Sequence, residues 1–236
     1  MKKKILASLL VGSAVVGASL APLSAQATTT GKTPVTVGFE GGTLPDGDGS
    51  KPNVVDPDPT KPNSNFDLLY IPREYSFGKL AISDDLTQPI PNKPDGVEAV
   101  GDLEVIGIGD VRGTKEGWHL TAQSTGLAFG TEKLQGNIVV NLVFGSILRY
   151  DEVTNTYSSY GTSGETAPTI TTPNKWTLEL GGDAKLLANA PTGKGQGTWE
   201  IGMVNTSLNL TTTANEIKAG NYTGNITWNL VAGPSI

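Results

Sequence analysis

A chain of 236 residues with a net charge of −6, one histidine and no cysteine excludes several classes of function before any motif is read. Nucleic acid is excluded as a partner, because neutralising phosphates needs clustered Lys and Arg. An electrostatic grip on an anionic envelope is disfavoured by the sign of the charge. Disulfides and thiolate zinc sites are excluded, and His119 alone cannot build a histidine cluster, so the sequence implies no metal and no cofactor.

Lys2, Lys3 and Lys4 precede an apolar stretch from Ile5 to Leu20, and Ala25-Gln26-Ala27 supplies the small-x-small pattern of a cleavage site. Residues 1–27 therefore read as a signal peptide cut after Ala27, which makes the protein secreted. Gly12, Ser13, Gly17 and Ser19 interrupt the stretch and argue against a membrane anchor. Cleavage removes three lysines and leaves a still more acidic chain. No second hydrophobic segment follows, and Val231 to Ile236 is too short to span a bilayer. With no Leu-Pro-x-Thr-Gly signal either, the expectation is no membrane insertion after cleavage and non-covalent retention at the surface.

Residues 28–63 read as a linker or long loop. Gly41-Gly42, Asp46-Gly-Asp-Gly-Ser50, Asp56-Pro-Asp-Pro59 and Lys61-Pro-Asn63 follow one another, a composition too poor in apolar surface to fold alone. Val35, Val37 and Phe39 alternate, which suggests a strand at 35–39 joining the domain from before the loop. Residues 64–236 form the expected domain.

Its pattern is β. Leu68 to Ile71 is a short run stopped by Pro72. Val97 to Ile108 carries apolar residues at both parities. Ile138 to Phe144 is nearly all apolar, as a strand buried on both faces would be. Trp176, Leu178 and Leu180 alternate with polar residues, as do Trp199, Ile201 and Met203, and then Leu208 and Leu210. Glycine-rich breaks separate these runs. Ala184 to Ala190 reads as one or two helical turns. The fold class is all-β: a sandwich or barrel-like antiparallel domain with long loops and at most one or two short helical turns.

Two Trp-x-Leu motifs stand out, Trp118-His119-Leu120 and Trp228-Asn229-Leu230. Residues two apart share a face of a strand. Trp118, Leu120 and Ala122 face one way, with His119 and Thr121 opposite. Ile226, Trp228 and Leu230 share a face, with Thr227 and Asn229 opposite. Two readings follow: the core face of a strand, or an aromatic platform for sugar rings or a peptide.

Other constellations are weaker. Glu40 and Asp84-Asp85 have no spacing that fixes a carboxylate pair for glycoside cleavage. His119 has no nucleophile elbow near it. Asp46, Asp48, Asp56 and Asp58 echo the start of a calcium loop, but Pro57 stands where the bidentate Glu belongs. Asp110 and Arg112 precede the first motif and are expected to pair across its turn. The chain is not expected to be an enzyme.

From about residue 65 to 236 the chain resembles the WxL family of Gram-positive surface proteins. Asp67-Leu-Leu-Tyr-Ile-Pro72 with Phe77-Gly78 is similar to the family's domain opening. Asp110-Val-Arg-Gly-Thr114 leading to Gly117-Trp-His-Leu-Thr121 is similar to its first signature. Gly197-Thr-Trp199 resembles a segment before the end, and Tyr222 to Leu230 resembles the second signature. The resemblance implies non-covalent attachment to the cell wall, on peptidoglycan. It makes Trp118, His119, Leu120, Trp228, Asn229 and Leu230 the binding motifs, with Asp110, Arg112 and Trp199 in support. It also implies other WxL proteins and a membrane-anchored WxL-interacting protein as partners, with adhesion to host extracellular matrix as a further proposed role.

Overall fold

The structure is a computed structural model that describes residues 30–49, 53–94, 102–162 and 164–235. The expected signal peptide lies outside the described residues, as do Val97, Ala99 and Val100. Residues 30–38 carry no strand or helix. The alternating Val35, Val37 and Phe39 form no strand at 35–39 and are 91%, 77% and 93% exposed. Alternation alone brought them no pairing partner.

The rest is an all-β sandwich, as the patterning implied, antiparallel except where Asp48–Gly49 pairs parallel with Thr156 and Tyr157. The strands are β1 (Asp48–Gly49), β2 (Val54–Val55), β3 (Phe66–Pro72), β4 (Ile90–Pro91), β5 (Glu104–Asp110), β6 (Trp118–Ser124), β7 (Leu127–Phe129) and β8 (Glu132–Leu134). They continue with β9 (Gly136–Asp151), β10 (Thr156–Thr162), β11 (Thr169–Ile170), β12 (Trp176–Glu179), β13 (Lys185–Ala190), β14 (Gly197–Leu210) and β15 (Ile226–Ala232). The larger sheet runs β1-β10-β9-β14-β5-β3-β2, with β12 added to β9 and β4 to β14. The smaller runs β11-β13-β6-β15. A β7–β8 hairpin stands apart, and a 3-10 turn covers Ala214–Glu216.

The main core lies between the sheets. Ile106, Ile201 and Trp199 of the larger sheet face Trp118, Leu120 and Leu187 of the smaller, all essentially inaccessible. Lys185–Ala190 is a strand, not helical turns. It is hydrogen-bonded between β11 and β6 and buries Leu187, Ala188 and Ala190, and pairing of that extent overrides a helix-forming composition.

The two alternating runs around Trp199 and Leu208 belong to one 14-residue strand. Its core-facing residues change parity between Met203 and Leu208, at Asn205, whose φ is 54°. Its partner β9 changes parity opposite that point, from Ile138 and Val140 to Val143, without loss of register. Asn141 Nδ2 donates to the Asn205 carbonyl at 2.9 Å, and the Asn205 N–H donates to Asp102 at 2.7 Å. Both strands turn over together, which leaves Leu142 and Phe144 exposed. The run Ile138 to Phe144 is therefore buried on both faces only over its first three residues.

A second core covers the outer face of the larger sheet. Leu44, Leu69, Tyr70, Val105, Leu148 and Tyr157 form it. A bulge in β3 at Leu69 turns both Leu69 and Tyr70 outward. Gly107 and Gly109 make the seats: the Tyr70 ring lies over one and Leu44 over the other, so a side chain at either would collide. This explains the β5 sequence, in which inward Ile106 and Ile108 alternate with outward glycines. From Gly41 onward the segment packs on the domain as a long loop. Gly42 N–H donates to the Val111 carbonyl, Pro45 O accepts from Asn63 and Tyr157, and Leu44 and Val54 are buried. A proline- and aspartate-rich segment orders here because the domain supplies the apolar surface that it lacks.

Two buried carboxylates are tied into this frame. Glu200 accepts from Tyr70 Oη at 2.8 Å and from Ser159 Oγ. Glu104 accepts from Asn53 at 3.1 Å and Asn92 at 3.0 Å. Burial first, then the Glu200 charge, pushes the Tyr70 phenol well above its ordinary value; burial does the same to Tyr157.

Two predictions follow from this packing. Gly107→Ala places a methyl group against the Tyr70 ring and is expected to cost about 1–3 kcal/mol in urea unfolding; an unchanged midpoint would contradict the seat. The contribution of Tyr70 to stability is expected to be constant below about pH 9, where its phenol is neutral in both states. Above pH 10 only the unfolded chain loses the proton, so stability falls by up to about 1.4 kcal/mol per pH unit for each such tyrosine. Urea midpoints from pH 8 to 12 check this, and Tyr70→Phe should flatten the alkaline limb.

Candidate functional site

The two Trp-x-Leu motifs sit on neighbouring strands of the smaller sheet. β15 pairs antiparallel with β6 so that Leu230 lies opposite Leu120, Trp228 opposite Ala122 and Ala232 opposite Trp118. Both motifs extend to Trp-x-Leu-x-Ala. The pairing is thus locally two-fold about the Leu120–Leu230 pair, with each indole set against an alanine. On the other side of β6, Ala190 pairs with Trp118 and Ala188 with Leu120. Small residues on both flanks make room for the Trp118 ring.

The two tryptophans nevertheless have different surroundings. Trp118 is 0% exposed, and its indole N–H donates to the Gly195 carbonyl at 2.9 Å. The Trp199 indole, from the other sheet, donates to the same carbonyl at 2.9 Å. Gly195 has φ 77°, and a side chain there would collide with Ala190 and Trp118. Trp228 is half-buried and stacks on Trp176, with ring centroids 6.3 Å apart and planes 23° apart. Trp176 is buried and donates to the Leu186 carbonyl at 2.9 Å. The difference arises because β6 is an interior strand and β15 ends its sheet.

Trp118, Leu120 and Trp199 therefore lie in the core, where a wall ligand has no access. Leu230 is half-buried against the same core. Of the six motif residues, His119 and Asn229 point to the outer face of the sheet. Asn229 is exposed, and His119 is half-buried with its Nδ1–H donated to the Gly233 carbonyl at 2.9 Å.

The end of the motif pair is locked by polar contacts. Arg112 holds both oxygens of buried Asp110 at 2.8 Å each and also donates to the Gly117 carbonyl at 3.0 Å. Its guanidinium lies 3.8 Å over the Phe66 ring and makes a second ion pair with Glu116. The hydrogen-bonded Asp110 carboxylate raises the Arg112 pKa above its ordinary value. Gly117 O also accepts from the Gly233 N–H at 3.0 Å, which joins the turn before the first motif to the residue just beyond the second.

The acidic loop residues are engaged locally. Asp46 accepts from the Asn63 N–H, Asp56 from the Asp58 N–H, and Asp58 from Thr60 and Lys61. Among the described residues no group of three or more His, Cys, Asp or Glu is placed to hold a metal.

Sequence reasoning missed one surface feature. A groove of about 380 Å³ crosses the outer face of the larger sheet, between β9, β12 and β14. Asn137, Asn141 and Asn209 are among its lining residues. The signal was present in Asn137-Ile-Val-Val-Asn141 and Ser207-Leu-Asn209, where one face of each strand is polar. It was obscured because Val139 stands between Asn137 and Asn141 on that face, so the run reads as apolar throughout.

An all-β sandwich whose two Trp-x-Leu strands pair with each other at one side of the smaller sheet defines the class of this protein. The profile of the WxL domain family, described as surface cell wall-binding, matches residues 26–234, and the chain belongs to that family. No curated protein and no solved structure matches the chain. Membership makes it a surface protein with a cell-wall-binding domain, of a family that binds rather than catalyses. No helix among the described residues is long and apolar enough to cross a membrane.

The burial asymmetry has a direct consequence. Trp118→Ala is expected to cost about 3–5 kcal/mol in urea unfolding, and Trp228→Ala distinctly less. Asn229→Ala should stay within about 0.5 kcal/mol of the parent. Equal costs for the two tryptophans would contradict the interior and edge placement of their strands.

Proposed function

We propose that the protein is exported and attaches non-covalently to peptidoglycan of the Gram-positive wall as one member of a multiprotein surface complex. The observation that carries this is the match of a wall-binding family over residues 26–234. The net charge of −6 supports recognition by hydrogen bonds and shape in place of charge, because an anionic wall repels an acidic protein. The Trp-x-Leu pair serves as the scaffold of the binding domain, and the ligand is met by polar residues on its outer faces, His119 and Asn229 included.

A second reading has its own support. β15 ends its sheet, and the main-chain edge of such a strand accepts a strand from another protein. The chain would then be a protein-interaction subunit or host-matrix adhesin, held at the wall by a membrane-anchored partner, with other WxL proteins beside it.

Sedimentation separates the two. The purified protein is expected to pellet with isolated Gram-positive peptidoglycan and to remain soluble without it. Retention in the supernatant, together with co-purification of a membrane-anchored partner, would overturn direct binding and leave the second reading.

A further inference from the structure

The groove on the larger sheet has a chemical character of its own. Its floor comes from alternate residues of paired strands. Thr177 of β12, Val139 of β9 and Ser207 of β14 lie in one cross-strand row. Asn137 and Asn209 are paired in the next row. The residues between them, Ile138, Val140, Trp176 and Leu208, face the core, so these side chains must point outward. Lys175 and Pro89 also line the groove, and an adjoining cavity of about 250 Å³ shares Pro89, Asn141 and Ser207 with it.

Most of these groups are neutral amides and hydroxyls. Asn209 Nδ2 donates to Asn137 Oδ1 at 3.3 Å, and Asn141 Nδ2 donates to the Asn205 carbonyl at 2.9 Å. Those bonds use a fraction of what a side-chain amide can make, since each carries two donors and a two-lone-pair acceptor. The groove thus offers closely spaced donors and acceptors on a frame made rigid by three hydrogen-bonded strands. That pattern suits a ligand that also donates and accepts at short intervals. It does not suit a phosphate, which needs several cations, or an apolar ligand, which would strand the amides. Val139 and Pro89 give small apolar flats between the polar groups. From Asn137 to Asn141 the strand rises about 13 Å, so the site is elongated. Among the described residues Lys175 is the one cationic side chain lining it.

We propose that this groove binds the glycan backbone of the wall polymer, an N-acetylated amino-sugar chain bearing carboxylates. Asn137, Asn209, Thr177 and Ser207 hydrogen-bond its hydroxyl and acetamido groups, and Lys175 meets a carboxylate. The proposal rests on the wall-binding reading above and gives it a site, on a different sheet from the Trp-x-Leu strands.

The test uses the purified full protein with three probes: peptide-free glycan strands released from peptidoglycan by an amidase, soluble stem peptide, and whole peptidoglycan. Two variants are compared with the parent. The double variant Asn137→Ala, Asn209→Ala removes both members of the amide pair. Thr177→Arg fills the groove from a partly exposed position. Near-UV circular dichroism unchanged from the parent establishes that each is folded. The glycan strands are expected to bind the parent in calorimetry. Each variant should weaken that binding at least tenfold and reduce pelleting with whole peptidoglycan in parallel. Variants that pellet like the parent would overturn the groove while leaving wall binding intact. A parent that does not pellet at all would overturn the wall-binding reading and this proposal with it. Saturation by stem peptide in place of glycan would overturn the choice of ligand.

Discussion

The carbonyl oxygen of Gly195 accepts two indole N–H groups, Trp118 from one sheet and Trp199 from the other, each at 2.9 Å. An oxygen with two lone pairs can satisfy both donors at once, and at this depth an unsatisfied indole N–H would cost the desolvation of a polar group. The position needs glycine twice over, because its φ is 77° and because a side chain would enter the space of Trp118 and Ala190. Its own N–H is spent on Thr166 O at 2.8 Å. The sandwich therefore closes on a single backbone group, and the packing of both sheets is arranged around it.

From that clasp the meaning of the Trp-x-Leu pair follows. The two copies occupy equivalent ladder positions about Leu120 and Leu230. One strand is interior and the other is an edge, so one tryptophan is sealed and the other is half-covered by Trp176. The motif that marks the family is thus a packing device in this chain. The binding function proposed for the domain falls instead to polar residues outside that packing: His119 and Asn229 on one sheet, the amide groove on the other.

Glycine does the corresponding work outside the main core. Gly107 and Gly109 admit Tyr70 and Leu44, and these draw the segment from Gly41 onward over the outer face of β5. Glu200 is buried beneath that cover and accepts from Tyr70 and Ser159, and Glu104, buried on the other face of β5, accepts from Asn53 and Asn92. Two buried carboxylates in one domain invite a catalytic reading. Here each ties a covering segment to the sheet, in keeping with a family that binds the wall.

Period-two alternation located β6, β12, β15 and both halves of β14 directly, a short apolar run located β3, and two ordered Trp-x-Leu motifs placed the chain in its family. Alternation states which residues share a face, and that much is local. It does not state which face is covered, because coverage depends on strands far away in the chain: Trp118 is sealed by a carbonyl 77 residues on. The parity change at Asn205 split one strand into two apparent runs, and the pairing of β13 with β6 turned an apparent helical turn into a strand. The β-character, the strand positions and the wall-binding family were thus written in the sequence by itself. Only the tertiary structure decided that Trp118 is core, that β15 is an edge, and that three asparagines from two strands line one groove, because each is a property of long-range pairing and not of spacing.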